Sequence, residues 1–315
     1  MGLLQLKHQV RKNGKSAAAL LTVVLAGAVC FGGCGGRGTK ERVDQAAEKT
    51  AAYVLEQTPA PTVSSIGGEW AVIGLKKHGQ EVPKGYYESY YDNVRAAVKA
   101  GKGVLNTTYY TDYARVTLAL CEIGKNPEQV EGYCLTAPLD TYEKIADQGM
   151  NAAAFALIAS QVSEVKLEQE DAYIQLILDT FAQQNVLENE DAVDIVAMGL
   201  EALSFYQDRP EVKAAVEQGI NMLSRFQQED GSFGNCESTA EVIMALTQLG
   251  ISVQTDERFI KEKANLYDGL MIFQGTNGGF YHVLDIKENN AMATEKALLA
   301  MEAILLQEQG RVFYE

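Results

Sequence analysis

The sequence predicts an all-α fold: an (α/α)6 toroid, a closed double barrel of six inner and six outer helices. Three observations carry that expectation. A short helical frame recurs six times along the chain. A second, amphipathic kind of helix alternates with it, and neither the first nor the last copy of the frame has the polar face that would cap an open stack.

The frame is clearest in "STAEVIMALTQLG", where Ala240 is followed by Ala245-Leu246 and Gly250 ends the helix as a C-terminal cap. It recurs in "YARVTLALCEIG" (Ala114, then Ala119-Leu120 and Gly124) and "DIVAMGLEAL" (Ala197, then Ala202-Leu203). Looser copies start at Glu69 in "EWAVIGL", Asn151 in "NAAAFAL" and Glu295 in "EKALLAM". The six starting positions lie 37 to 55 residues apart, the spacing of a repeated helical hairpin with loops of varying length.

Between the copies come "RVDQAAEKTAAYVLEQ", "YYESYYDNVRAAVKA", the shorter "LDTYEKIADQG", "DAYIQLILDTFAQQ", "PEVKAAVEQGINMLSRFQQ" and "ERFIKEKANLYDGLMIFQ". Each has one apolar stripe and one charged face. The frame helices are instead rich in Ala and Gly and poor in charge around their circumference. A helix packed on both sides needs small residues for close approach, whereas a surface helix needs only one stripe. Trp70, Val72 and Ile73 in the first copy, and Leu298, Leu299, Met301 and Ile304 in the last, are hidden together if the two ends meet.

One domain over residues 42–315 follows, preceded by a linker at 35–41 and a targeting segment at 1–34. "KHQVRKNGK" is a basic n-region and "SAAALLTVVLAGAVCF" an apolar h-region too short for a comfortable span. "FGGCGG" resembles the lipobox of bacterial lipoproteins, with Cys34 as the lipid-bearing residue and a membrane anchor as the consequence. Phe31 departs from the usual Leu, so an ordinary signal peptide or an uncleaved anchor stays open. All three put the domain outside the cytoplasm.

A formal net charge of -15 with no basic stripe argues against a nucleic-acid partner. Beyond Cys30 and Cys34 the chain has Cys121, Cys134 and Cys236, which make neither a disulfide framework nor a Cys-x-x-Cys metal knuckle. A Cys121–Cys134 bridge is compatible with export. Cys121 is most simply a small buried hydrophobe.

"QQEDGSFGNCESTAEVIMALTQLG" resembles the Gly-rich turn and helix of prenyltransferase and squalene-cyclase repeats, whose fold is the terpenoid cyclase/protein prenyltransferase-like toroid. Together with "VDIVAMGLEAL", "GGFYHVLDIKENNAMATEKALLAMEAI" and "GRVFYE", it is similar to exported bacterial toroids related to cobalamin carriers of the transcobalamin and intrinsic-factor type. The resemblance covers about residues 145–312 well and 42–144 loosely. It implies a toroid and a cobamide as candidate ligand. The carriers close on their ligand with a second, β-rich domain that has no counterpart here, so a weak or partner-assisted site is expected.

Enzymatic precedents on this fold need sites that the sequence supplies poorly. Prenyltransferase zinc needs Asp, Cys and His from inner helices. A set of Cys236, an Asp and His282 is conceivable, but no Asp-x-Cys pattern accompanies it. Cyclases protonate an alkene from an Asp-rich cluster, and here Asp194 stands between Ala192, Val193, Ile195 and Val196. Asp194 and Glu237, with Asp112 near the equivalent place, could face one groove as glycosidase carboxylates do. Acidic residues in a first helical turn also have the plain role of meeting the dipole.

Binding is therefore the leading expectation. Six inner helices starting at one end would gather backbone N–H donors around a mouth. The loops there carry Tyr109 and Tyr110 with Asp112, Asp194, Phe233, Asn235 and Glu237, then Phe280, Tyr281 and His282. Amides, carboxylates and aromatics around a concavity suit a bulky, partly apolar small molecule, or a protein partner. A prenyltransferase- or cyclase-like enzyme with an unrecognised site, and a structural cell-surface module, are the alternatives.

Overall fold

The computed structural model describes residues 35–315, apart from 184 and 263, with side chains from residue 42 onward. The fold is all-α, with twelve α-helices and one two-stranded ribbon among the described residues. The odd-numbered helices are α1 (Gly35–Gln57), α3 (Tyr86–Ala100), α5 (Tyr142–Ala146), α7 (Glu170–Phe181), α9 (Pro210–Phe226) and α11 (Leu266–Met271). The even-numbered ones are α2 (Glu69–His78), α4 (Thr111–Glu122), α6 (Met150–Ser163), α8 (Val193–Leu203), α10 (Cys236–Gln248) and α12 (Ala291–Glu308). Strands β1 (Phe280–Tyr281) and β2 (Asn289–Asn290) pair antiparallel just before α12. The expected signal segment and Cys34 lie outside the described residues.

Every copy of the repeated frame falls in an even-numbered helix, and two expectations for the alternating helices need correction. The stretch 257–274 is not one helix. It is a 3-10 turn (Glu257–Phe259), a Lys261–Ala264 bridge and the short α11. Asn265 fixes that late start, because it and Asp268 form a reciprocal capping box. The expected helix over 139–149 shrinks to α5 behind a 3-10 turn at Ala137–Asp140. Residues 35–41, read as a linker, form the start of α1. Cys121, Cys134 and Cys236 are all free, so no Cys121–Cys134 bridge forms.

Burial separates the two kinds of helix. α3 buries Tyr86, Tyr90, Val94 and Val98, one residue per turn, and exposes the rest of its surface more freely. α10 buries every residue from Ser238 to Gln248, and α6 buries an unbroken run from Ala152 to Ser160. Close approach explains the small residues. A Cβ on Gly74 of α2 would sit 2.9 Å from the Leu298 side chain of α12, so a larger residue there would have to displace Leu298.

Each even-numbered helix packs on the next, from α2 through α4, α6, α8 and α10 to α12, and α12 packs back on α2. This cycle of contacts buries both apolar ends that an open stack would expose. Hydrogen bonds show that neighbours begin at the same end. Gly67 N–H, just before α2, donates to Glu295 of α12 at 2.8 Å. Tyr110 N–H, before α4, donates to Gln148, before α6, at 2.9 Å. Cys236 N–H at the start of α10 donates to the His282 carbonyl, in the loop leading to α12, at 3.0 Å. At the opposite end Lys77 of α2 pairs with Glu122 of α4 at 2.9 Å, and His78 of α2 with Glu302 of α12 at 2.7 Å. Among the described residues no helix is long and apolar enough to cross a membrane.

Candidate functional site

The loops before α10 and α12 are built on one plan. In the first, Phe233 N–H donates to Thr239 Oγ1 at 3.0 Å, and the Thr239 hydroxyl donates to the Asn235 carbonyl at 2.7 Å. In the second, Phe280 N–H donates to Thr294 Oγ1 at 2.9 Å, and Thr294 to the Asn290 carbonyl at 2.7 Å. Asn235 and Asn290 then cap their helices, accepting from Ser238 N–H at 2.8 Å and Ala293 N–H at 3.0 Å. Each threonine thus ties an aromatic loop residue to a helix start, leaving few backbone groups unsatisfied.

Four even-numbered helices open on an acid: Glu69, Asp112, Asp194 and Glu237. The dipole favours carboxylates there, but each also has a partner elsewhere. Glu69 accepts from Ser64 N–H at 2.8 Å and the Tyr90 hydroxyl at 3.1 Å. Asp112 accepts from Asn106 at 2.8 Å and pairs with Arg115. Glu237 meets Nδ1 of His282 at 2.7 Å. Asp194 lies within hydrogen-bonding reach of Ser238, and burial raises its carboxyl above the usual range.

A cavity of about 410 Å3 opens between the starts of α8 and α10. Of the residues expected at the mouth, Asp194, Phe233, Asn235 and His282 line it, and Glu237 reaches it through His282. Glu190, Asp191 and Ser238 complete its polar wall, and Phe226 adds apolar surface. No Lys or Arg lines it. Asp194 Oδ1 is buried without a protein partner among the described residues. The cavity therefore offers hydrogen-bond acceptors and negative charge, which suits a ligand bearing N–H, O–H or cationic groups.

The remaining expected residues lie elsewhere. Tyr109 is 62% exposed in the loop before α4, where Tyr110 also sits, and Asp112 is buried in the first turn of α4. Phe280 of β1 is fully buried, and Tyr281 pairs with Asn289. A second, smaller cavity of about 250 Å3 lies by the start of α12, between Tyr53, Thr58, Ile66, Asn289 and Glu295. Burial pushes the Glu295 carboxyl up to about 7.

Charged groups inside the cycle escaped the sequence reading. Lys296 of α12 donates to Glu241 of α10 at 2.6 Å and lies 4.8 Å over the Trp70 ring of α2. Trp70 in turn meets Phe155 of α6 at 5.8 Å, so side chains fill the interior across non-adjacent helices. Burial, then the neighbouring Glu241, drives the Glu201 carboxyl of α8 well above its ordinary range. Burial pulls on the Lys296 ammonium in the opposite sense, but Glu241 and Glu201 outweigh it and keep Lys296 charged. The signal was present: "GLEAL", "AEVIMAL" and "EKALLAM" each place a charge on an otherwise apolar helix.

The zinc set does not assemble. Cys236 is fully buried with its thiol 3.5 Å from the Ala293 carbonyl, and burial holds it protonated, whereas a metal ligand is a thiolate. Among the described residues no three His, Cys, Asp or Glu are placed to share an ion. No protein-family model matches the chain, and no curated protein matches it either.

Proposed function

We propose that this chain is an exported α/α toroid, anchored to a membrane through Cys34, that binds a small molecule or protein at the end where its even-numbered helices begin. The closed cycle of helix contacts supports the toroid. The observation that carries the binding reading is the acidic, aromatic-sided cavity of about 410 Å3 beside Asp194, Asn235 and His282. Its size falls in the lower part of the range for small-molecule pockets, roughly 300–1,000 Å3. A cobamide, the ligand the resemblance suggests, is too bulky to enter whole. Its peripheral amide N–H groups would meet Asp194 and Asn235 while the corrin plane rested across the mouth.

Equilibrium dialysis of residues 35–315 against cobalamin and cobinamide tests this. Saturable retention that Asp194→Asn weakens supports the reading, and no retention at millimolar ligand removes its small-molecule form. A second reading, a structural surface module, is favoured by the packing of Trp70, Phe155 and Lys296 across the interior, which confines any ligand to a shallow site. The enzyme alternative has less support, since the buried carboxyls Glu201 and Glu241 do not line the cavity.

A further inference from the structure

The opposite end of the cycle holds a short non-helical segment in the manner of a bound peptide. After α12 the chain turns at Gly310 and doubles back, with Arg311 N–H donating to the Leu306 carbonyl at 3.0 Å. Phe313 and Tyr314 are then buried, their rings edge to face at 5.0 Å. The side-chain amide of Gln248 brackets the Tyr314 backbone. Its Nε2 donates to the Tyr314 carbonyl and its Oε1 accepts from the Tyr314 N–H, both at 3.1 Å. This pairing imitates a neighbouring β-strand and reads main chain rather than side chain.

The rings have their own receptors. Phe313 sits among Ile73 and Lys77 of α2, Leu118 of α4 and Val162 of α6, leaving a void of only about 20 Å3. The Lys77 ammonium lies 4.8 Å over its ring. Burial, and then the neighbouring Glu201 carboxyl of α8, raise the Tyr314 hydroxyl well above its usual range, while Gln248 belongs to α10. Five of the six even-numbered helices thus contribute to one seat.

We propose that this end of the cycle is a peptide-binding site for a segment bearing two adjacent aromatic residues, which Phe313 and Tyr314 occupy in cis. The site is independent of the ligand reading at the other end. The test places a specific protease site at the exposed turn around Gly310, cleaves the folded chain, and adds a labelled, acetylated peptide of residues 311–315. One peptide per chain is expected to exchange in saturably, with Gln248→Ala weakening it about tenfold or more. The uncut parent should take up none. A cleaved chain that stays folded yet binds no peptide, or a Gln248→Ala chain that binds it equally well, overturns the proposal. An uncut Phe313→Ala/Tyr314→Ala chain should also accept the peptide, and a folded one that does not overturns it too. If either variant unfolds, the peptide is expected to restore the fold, and failure in excess peptide counts equally against the site.

Discussion

The two ends of the helix cycle use the same six helices and are finished in opposite ways. At the starting end, glycine-rich loops and asparagine caps hold the backbone while carboxylates and His282, 54% exposed, remain around a cavity of about 410 Å3. At the other end the chain itself packs on the helices: Phe313 and Tyr314 are buried beside Gln248 and Glu201, and a separate cavity of about 410 Å3 opens by Gln161, Glu164 and Lys166 at the end of α6. The difference is one of polarity. A helix start presents N–H groups that loops, caps and ligands can satisfy, so it tolerates a wet opening. Between the ends, side chains rather than solvent connect α2, α6, α10 and α12. The contrast is between an end with polar groups left around an opening and an end where the chain's own aromatic residues are packed in.

The largest expected effect lies between them. Lys296→Met strands Glu241 without its cation, and breaking a buried pair costs about 3–5 kcal/mol. Urea unfolding should register that loss, and Lys296→Met/Glu241→Gln should recover much of it. If the single variant costs almost nothing, water reaches this interior and the two ends are not separated as described.

Acid should stabilise the starting end. Glu295 has its carboxyl raised from 4.5 to about 7 by burial, so the fold binds this proton more tightly than the unfolded chain does. That contribution is fully present below about pH 4.5 and is lost as pH rises to about 7. Its size is about 3 kcal/mol. His78 acts in the same sense at higher pH. Its hydrogen bond to Glu302 raises it above 6.5 against the opposing pull of burial, so its contribution fades as pH rises further. Unfolding free energy measured from pH 4.5 to 7.5 should fall, and Glu295→Gln should flatten the fall. A flat profile in the parent would contradict the burial of Glu295.

Packing beneath the loop before α10 is the next most sensitive point. A Cβ on Gly269 of α11 would sit 2.2 Å from the Gly231 backbone, and Gly231 itself has φ +87°. Gly269→Ala should therefore cost about 1–3 kcal/mol as an overpacked contact, read as a lower denaturation midpoint. Because Gly231 belongs to the loop that carries Phe233 and Asn235, the same change should widen or shift the cavity. An unchanged midpoint would mean that this loop is not held by α11.

Much of the helical order was legible because burial on two sides selects Ala and Gly, as at Gly74 and along α6, while one-sided burial leaves a stripe, as on α3. Where local chemistry opposed periodicity, the reading failed. Asn265 with Asp268 starts α11 late although the apolar pattern begins at Phe259. At the candidate site, loop composition located Asp194, Phe233, Asn235 and His282 beside one cavity. It could not tell them from Phe280, which has the same loop context but turns into the core. Glu201, Glu241 and Lys296 were missed for a different reason: each is a charge on a largely apolar helix, and only the contact between α10 and α12 shows that Glu241 and Lys296 meet.

The finest comparison sets the two parallel loops against each other. Asn235 and Asn290 make the same cap, and each replacement by Ala should cost about 1 kcal/mol. Asn235 also lines the larger cavity and holds Ser238 through its Nδ2 at 2.7 Å, whereas Asn290 does not line it. Comparable losses of capping stability are expected, slightly larger for Asn235→Ala because of its bond to Ser238, with a loss of ligand retention in Asn235→Ala alone. Paired melting curves and dialysis of the two variants separate capping from binding within one loop design. If both variants lose retention equally, the effect travels through helix fraying, and the cavity between α8 and α10 is not where the ligand sits. If Asn235→Ala alone loses retention while the two melting temperatures stay close, the binding contribution belongs to that side chain and not to the cap it shares with Asn290.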